Sequence, residues 1–352
     1  MGGNNKPVIL KTKFSYPMAD AVNELLPETV RKLGERYSDV SKNARDLKFE
    51  AAEVDITRFN CGEYKARSPH LVDREVYLFH DATVEGGYRP NDFVALATVL
   101  DDSLRNAEPK RITHVVPHVP YQRQDKEHEE HESVTAKRVM RYCFYDPESP
   151  IPTRMFTFDM HNPDIARFVP YRVKELYASP IFIQRFKDIN CALIAPDANA
   201  AKRLEAVAAR AGNKGMAIVY KTRSKDGRSK SLGLMGAENL EDIDVAVTID
   251  DMIDTGGSNV GAIDLIRSKA PAVKIVAAAT HGVFSYDHNG KISAEERLRK
   301  SGISVVVTDA VRRPQMYLAQ NADWLEVESL APILAEAIAR RELGLEVSEM
   351  FR

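Results

Sequence analysis

The sequence predicts an α/β protein built on parallel sheets. Short apolar, β-branched runs recur at 75–79, 112–116, 192–195, 245–249, 273–277 and 303–307, each leading into a polar loop and then a helical stretch. Strands that alternate with helices pair in parallel, because a parallel partner requires a crossover connection. The 352 residues suffice for two domains of ordinary size, and the strand and loop at 112–126 are weakly mirrored at 245–258. A hydrophobic content of 44% is enough to fill two cores.

Charge and composition exclude several functions. Lys+Arg number 49 and Asp+Glu 51, a net charge of −2, so no overall basic field recommends a nucleic acid partner. Any phosphate must be bound locally. The three cysteines, Cys61, Cys143 and Cys191, have no metal-type spacing, and an odd count suits a reducing compartment. No apolar run approaches the ~18 residues of a membrane span, and no signal core follows Met1. A soluble, cytoplasmic protein with no membrane partner is expected.

Along the chain, residues 19–50 read as a charged, mainly helical region, a solvated insertion to which no chemistry can be assigned. The strand at 112–116 runs into Tyr121-Gln122-Arg123-Gln124-Asp125, and Ala195-Pro196-Asp197 follows the strand at 192–195. Residues 220–230 carry five basic side chains among eleven without apolar periodicity, which reads as a loop. The strand at 245–249 ends in Asp250-Asp251-Met252-Ile253-Asp254-Thr255-Gly256-Gly257-Ser258, three carboxylates beside a glycine turn. A helical stretch from Asn259 places the free N–H groups of 255–258 at a helix N-terminus, which binds phosphate. The glycines allow close backbone approach and positive φ, Thr255 and Ser258 add hydroxyl donors, and the carboxylates can accept from ribose hydroxyls. This combination suits a sugar phosphate. All these strings follow apolar runs, as expected of ligand loops at the carboxyl ends of parallel strands.

The 249–258 string resembles the phosphoribosyl-diphosphate (PRPP) loop of type I phosphoribosyltransferases and of ribose-phosphate diphosphokinases, the PRPP synthetases. Further strings resemble the synthetases, in order over residues 55–352: Arg58-Phe59-Asn60-Cys61-Gly62-Glu63, Pro120 to Lys126, Asp159-Met160-His161-Asn162-Pro163, Leu176 to Pro180, Ala278 to Val283, and the tail Val347-Ser348-Glu349-Met350-Phe351. The resemblance implies two tandem phosphoribosyltransferase-like domains, 1–175 and 176–342, with the tail 343–352 returning to the first. It implies transfer of the diphosphoryl group of ATP to the 1-hydroxyl of ribose 5-phosphate, giving PRPP and AMP. By position, Phe59, Glu63, Arg123 and Gln124 would bind ATP, and Asp250, Asp251, Asp254, Thr255, Gly256, Gly257 and Ser258 would bind ribose 5-phosphate. His161 and Asp197 match magnesium-associated positions, with Mg²⁺ as the cofactor, and Lys221 and Arg223 match the flexible catalytic loop. The resemblance further implies a homo-oligomer, dimer-based and up to a hexamer, with an ATP site shared between subunits; the sequence leaves the oligomer number open. Two alternatives are a phosphoribosyltransferase that consumes PRPP and a catalytically inactive regulatory homologue.

Two departures stand out. Cys61 replaces a polar residue of the nucleobase string, which weakens the case for strict adenine selectivity. Glu127, Glu129, Glu130 and Glu132 occupy a stretch that is usually basic, and Glu346 stands where the tail commonly offers serine. Acid at these positions would repel regulatory phosphate and ADP.

Overall fold

The computed structural model describes residues 6–351 apart from 85, 86, 128, 197, 212–214, 224–228, 237–241 and 288. The chain divides into two compact units. Unit 1 comprises Met1–Leu176, Ala310–Arg312 and Ser329–Arg352, and unit 2 comprises Tyr177–Asp309 and Arg313–Glu328.

Unit 1 opens with β1 (Val8–Lys11), α1 (Tyr16–Arg36), α2 (Ser41–Asp46) and β2 (Glu50–Glu53). The hairpin β3 (Asp55–Arg58) and β4 (Tyr64–Arg67) follows, then β5 (Glu75–Phe79), and the short pair β6 (Thr83–Val84) and β7 (Gly87–Tyr88). The unit continues with α3 (Pro90–Arg105), β8 (Arg111–Val115), α4 (Thr135–Phe144), β9 (Thr153–Phe158) and β10 (Arg172–Leu176). Its main sheet has the order β10-β9-β8-β5-β1-β2, and every pairing is parallel. Helices cover both faces of such a sheet, so its central strands bury side chains on either side. Ile9, Leu10, Val76, Leu78, Phe79, Ile112 and Val115 accordingly have at most 1% exposure.

Unit 2 contains α5 (Ser179–Phe186), β11 (Cys191–Ala195), α6 (Ala198–Ala211), β12 (Gly215–Arg223), β13 (Ser229–Met235) and β14 (Val245–Ile253). Then come α7 (Gly257–Lys269), β15 (Lys274–Gly282), α8 (Ala294–Lys300), β16 (Ser304–Thr308), α9 (Gln315–Asn321) and β17 (Leu325–Glu328). The sheet order is β13-β12-β11-β14-β15-β16-β17, parallel throughout except for the antiparallel β12–β13 edge. The order reverses between β11 and β14. This is the switch point at which open α/β sheets bind ligands.

The sequence reading needs four corrections. The 19–50 region is helical, but it is not simply solvated: α1 buries Ala19, Val22, Leu26, Val30 and Leu33 along one stripe and packs on α10 (Ala331–Glu342). Leu26 is fully buried, so truncating it would cost about 2–5 kcal/mol. The chain returns to unit 1 at Ser329, so α10 joins it along with the tail. Residues 220–223 and 229–230 are not loop; they pair in the β12–β13 hairpin, because aromatic Tyr220 and β-branched Thr222 extend the strand-favouring run Ile218-Val219 that precedes them. Finally, β14 continues through Asp250 and Asp251 to Ile253, and α7 begins at Gly257, two residues before Asn259.

Candidate active site

The acidic string sits at the carboxyl end of β14, beside the switch point of unit 2. Asp250 pairs with Ala279 of β15, and Asp251 donates its backbone N–H to Asp250 Oδ1 at 2.9 Å. Asp251 is 4% exposed and Asp250 half-buried, so one carboxylate is anchored and its neighbour is more open. Past the strand, Val283 and Phe284 donate to Ile253 O (3.0 and 3.1 Å) and Ser285 donates to Asp254 O (3.0 Å), tying the turn to the end of β15. Gly256 caps α7 in the left-handed region, φ 72°. A Cβ on Gly256 would also lie 3.4 Å from Leu298 Cγ, so the position requires glycine for its conformation and has little room to spare. No side chain caps α7, which leaves its first N–H groups directed outward beside exposed Gly257 and Ser258. Carboxylates for hydroxyls and N–H groups for a phosphate thus lie within one strand–turn–helix unit.

Below this loop, α7 turns Asn259, Ala262, Ile263 and Ile266 toward the sheet. Asn259 is 2% exposed and Thr248 of β14 fully buried, and neither Asn259 Nδ2 nor Thr248 Oγ1 has a hydrogen-bond partner among the described residues.

Unit 1 presents the nucleotide candidates on three loops. Phe59 and Glu63 close the β3–β4 hairpin, with Phe59 N–H donating to Glu63 O at 2.8 Å and Gly62 at φ 97°. Phe59 is 45% exposed and Cys61 is an exposed free thiol, so the hairpin tip offers an aromatic face to solvent. Arg123 and Gln124 are exposed after β8, and His161 is exposed after β9. The structure brings these last two loops together. Gln122 Oε1 accepts from the His161 backbone N–H at 2.9 Å, and Asp125 Oδ2 accepts from Asn162 Nδ2 at 2.5 Å. Gln122 also contacts His118 Nδ1 at 3.2 Å. Tyr121 and Asp159 stand at positive φ (64° and 32°), strained backbone of the kind that collects at functional loops. Gln122, Asp125 and Asn162 lie within the strings that mark the site, yet their sequence carries no sign of a role. They are buried or half-buried brackets that set the exposed Arg123 and His161.

Three candidates remain without described side chains. Asp197 lies outside the described residues, and the side chains of Lys221 and Arg223 do too, although their backbones pair with Ser231 and Ser229. Among the described residues no group of three or more His, Cys, Asp or Glu is placed to hold a metal ion. His128 also lies outside the described residues, whereas Glu127, Glu129, Glu130 and Glu132 are exposed. Glu346 lines a cavity of about 260 Å³ with Arg154, Arg172, Lys174 and Arg341. Burial and then repulsion from Arg341 hold Arg154 below its ordinary pKa, and burial with Arg172 does the same to Lys174. The surroundings of Glu346 are therefore cationic, which its own carboxylate did not suggest.

The unit 1 core hides a polar relay with no sequence signal. His80 Nε2 lies 3.1 Å from His114 Nδ1, and His114 Nε2 lies 3.2 Å from Asp101 Oδ1, all on buried residues. Past the end of β5, Arg312 Nε donates to Asp81 Oδ2 at 2.6 Å, and Thr83 Oγ1 donates to Arg312 O at 2.9 Å.

A family model described as the N-terminal domain of ribose phosphate pyrophosphokinase matches residues 17–143, and one described as a phosphoribosyl synthetase-associated domain matches 240–352. The first starts well before residue 55, where the recognised strings begin. Ribose-phosphate pyrophosphokinase A of Dictyostelium discoideum is 29% identical over 339 residues, covering 95% of this chain and 99% of its own. The ribose-phosphate pyrophosphokinase of Corynebacterium glutamicum is 32% identical over 304 residues, covering 82% of this chain and 86% of its own. The crystal structure of phosphoribosylpyrophosphate synthetase from Mycobacterium smegmatis matches with a TM-score of 0.70 at 25% identity, covering 96% of this chain and 99% of that one. No helix among the described residues is long and apolar enough to cross a membrane.

Proposed function

The chain belongs to the ribose-phosphate pyrophosphokinase family, and from that premise we propose that it transfers the diphosphoryl group of ATP to the 1-hydroxyl of ribose 5-phosphate. The anomeric oxygen bonds to the β-phosphorus and loses its proton. The bond between the β-phosphorus and the bridging oxygen to the α-phosphate breaks, and AMP leaves with that oxygen.

The observation that carries this reading is the β14–α7 turn: carboxylates at a strand end, Gly256 in the left-handed region and the uncapped start of α7, all at the switch point of unit 2. Asp250 and Asp251 accept from the ribose hydroxyls, and the N–H groups of 255–258 with the Thr255 and Ser258 hydroxyls take the 5-phosphate. Arg123 and Gln124, braced through Gln122 and Asp125, hold the triphosphate. Phe59 and Glu63 receive the base of a neighbouring subunit's nucleotide in a homo-oligomer. Lys221 and Arg223 neutralise charge that develops on the transferring group, and positioning supplies the remainder, as in phosphoryl transfer generally. Mg²⁺ suits a triphosphate donor, since it needs only one or two protein groups beside water and phosphate oxygens; exposed His161 would be one such group, and the resemblance implies Asp197, outside the described residues, as another. When bound it neutralises phosphate charge.

A phosphoribosyltransferase would use the 249–258 loop but gives Arg123, Gln124 and His161 no role. An inactive regulatory homologue would be expected to have lost Lys221 and Arg223 or the acidic string, and this chain retains both. Replacing ribose 5-phosphate with ribose tests the phosphate loop directly. AMP release should collapse, and equal release from the two sugars would remove that loop from the mechanism.

A further inference from the structure

Arg297 belongs to none of the strings that mark the site. It lies on α8, its side chain is only 27% exposed, and its guanidinium makes no hydrogen bond among the described residues. Its one ion-pair partner among the described residues is Asp287, whose Oδ2 is 3.9 Å from Nη2, beyond hydrogen-bond length. Asp287 is itself held by the backbone N–H of Lys291 at 2.8 Å, and backbone hydrogen bonds from Lys291 keep its carboxyl below the usual pKa. It is therefore a fixed anion that orients Arg297 and leaves the donors unsatisfied.

The other end of that guanidinium faces the phosphate loop. Nη1 is 3.2 Å from the point where a Cβ on Gly257 would stand, and Thr255 Oγ1 is 3.7 Å from the same point. Gly257 is the first residue of α7, and in a helix the Cα–Cβ bond tilts toward the N-terminus. Arg297 Nη1 and Thr255 Oγ1 thus flank one spot on the side of α7 to which its free N–H groups point. Leu298, the next residue of α8, packs under Gly256. Glycine at 257 leaves the arginine its place.

We propose that Arg297 is a ligand of the sugar's 5-phosphate, adding a forked, permanently charged donor to the N–H groups of the loop. The inference rests on the proposed function only in taking the loop's ligand to be a sugar phosphate. A guanidinium at three-quarters burial with unsatisfied donors forms charge-assisted hydrogen bonds when a phosphate arrives, and it gains more from them than an exposed cation would.

The test is equilibrium binding of ribose 5-phosphate to the full-length protein, with no turnover needed. Arg297→Gln should raise Kd for ribose 5-phosphate by about 10- to 100-fold while leaving Kd for ATP and the melting temperature near wild type. Arg297→Lys should recover part of the affinity, since it restores charge but not the fork. Inorganic phosphate, used as a competitor for ribose 5-phosphate, should weaken in parallel. An unchanged Kd in Arg297→Gln overturns the proposal, and so does an equal loss for both ligands with a lower melting temperature, which would make Arg297 merely structural. If wild-type protein binds ribose 5-phosphate without releasing AMP from ATP, the proposed reaction fails, and the Kd ratio still decides the role of Arg297. Absence of any ribose 5-phosphate binding by wild type overturns both.

Discussion

Replacing Gly256 with alanine should weaken the protein by an amount the turn geometry fixes. At φ 72° an alanine costs about 1–2 kcal/mol, because Cβ crowds the following carbonyl. Its Cβ would stand 3.4 Å from Leu298 Cγ and 3.5 Å from Cδ2, at the near edge of ordinary contact, so the conformational penalty dominates. That penalty has two outlets. If the turn keeps its shape, the whole cost appears as lost folding stability. If the turn relaxes, its N–H groups no longer converge, and affinity for ribose 5-phosphate falls by about 5- to 30-fold instead. The two losses, from denaturant midpoints and from Kd for ribose 5-phosphate, should total at least about 1 kcal/mol. Asparagine, which visits the left-handed region more readily, should lose less than alanine. An alanine variant that matches wild type in both measurements refutes the reasoning.

Three further outcomes follow from the same structure. Lys221→Ala and Arg223→Ala should each lower kcat strongly with little change in ribose 5-phosphate affinity or stability, since the proposed reaction has them act on charge that develops in the transition state; wild-type kcat in both removes them from catalysis. Asp251→Asn and Ser258→Ala should each weaken ribose 5-phosphate binding by roughly 1.5–3 kcal/mol, and an unchanged KM for the sugar phosphate in both would place it elsewhere. Acid should destabilise the fold through His80, whose burial, reinforced by His114, holds its pKa well below the ordinary 6.5. It folds neutral while the unfolded chain takes up a proton below about pH 6.5, so stability falls from there downward by up to about 1.4 kcal/mol per pH unit. Burial raises the Asp101 carboxyl, but His114 and Arg105 bring it net below its ordinary 3.8, so its contribution is lost only at lower pH. Denaturant midpoints at about pH 7.5 and 5 should diverge less in His80→Gln than in wild type, and equal divergence would exclude His80 as the source.

What the sequence revealed depended on how local the physics was. Apolar runs such as 75–79 and 303–307 announced central strands, because strands buried on both faces need no partner to look hydrophobic. The 249–258 string announced its turn, since carboxylates, glycines and a helix start are all local. The 220–230 stretch misled because its charges hide the pairing of Lys221 with Ser231 and Arg223 with Ser229, a ladder whose second strand carries a further basic residue, Lys230. The 19–50 region looked solvated because α10, one of the elements on which α1 packs, lies some 300 residues away in the chain. Arg297, the Gln122–Asp125 brackets and the His80–His114–Asp101 relay are meetings of distant elements, and each residue alone reads as an ordinary surface or core position.

The most direct test of the central claim is the identity of the nucleotide released when the protein is mixed with ribose 5-phosphate, ATP and Mg²⁺. Diphosphoryl transfer predicts AMP and PRPP in equal amounts, both dependent on the sugar phosphate. Release of ADP with a sugar bisphosphate, the outcome of single phosphoryl transfer, or no sugar-dependent AMP at all, would contradict it.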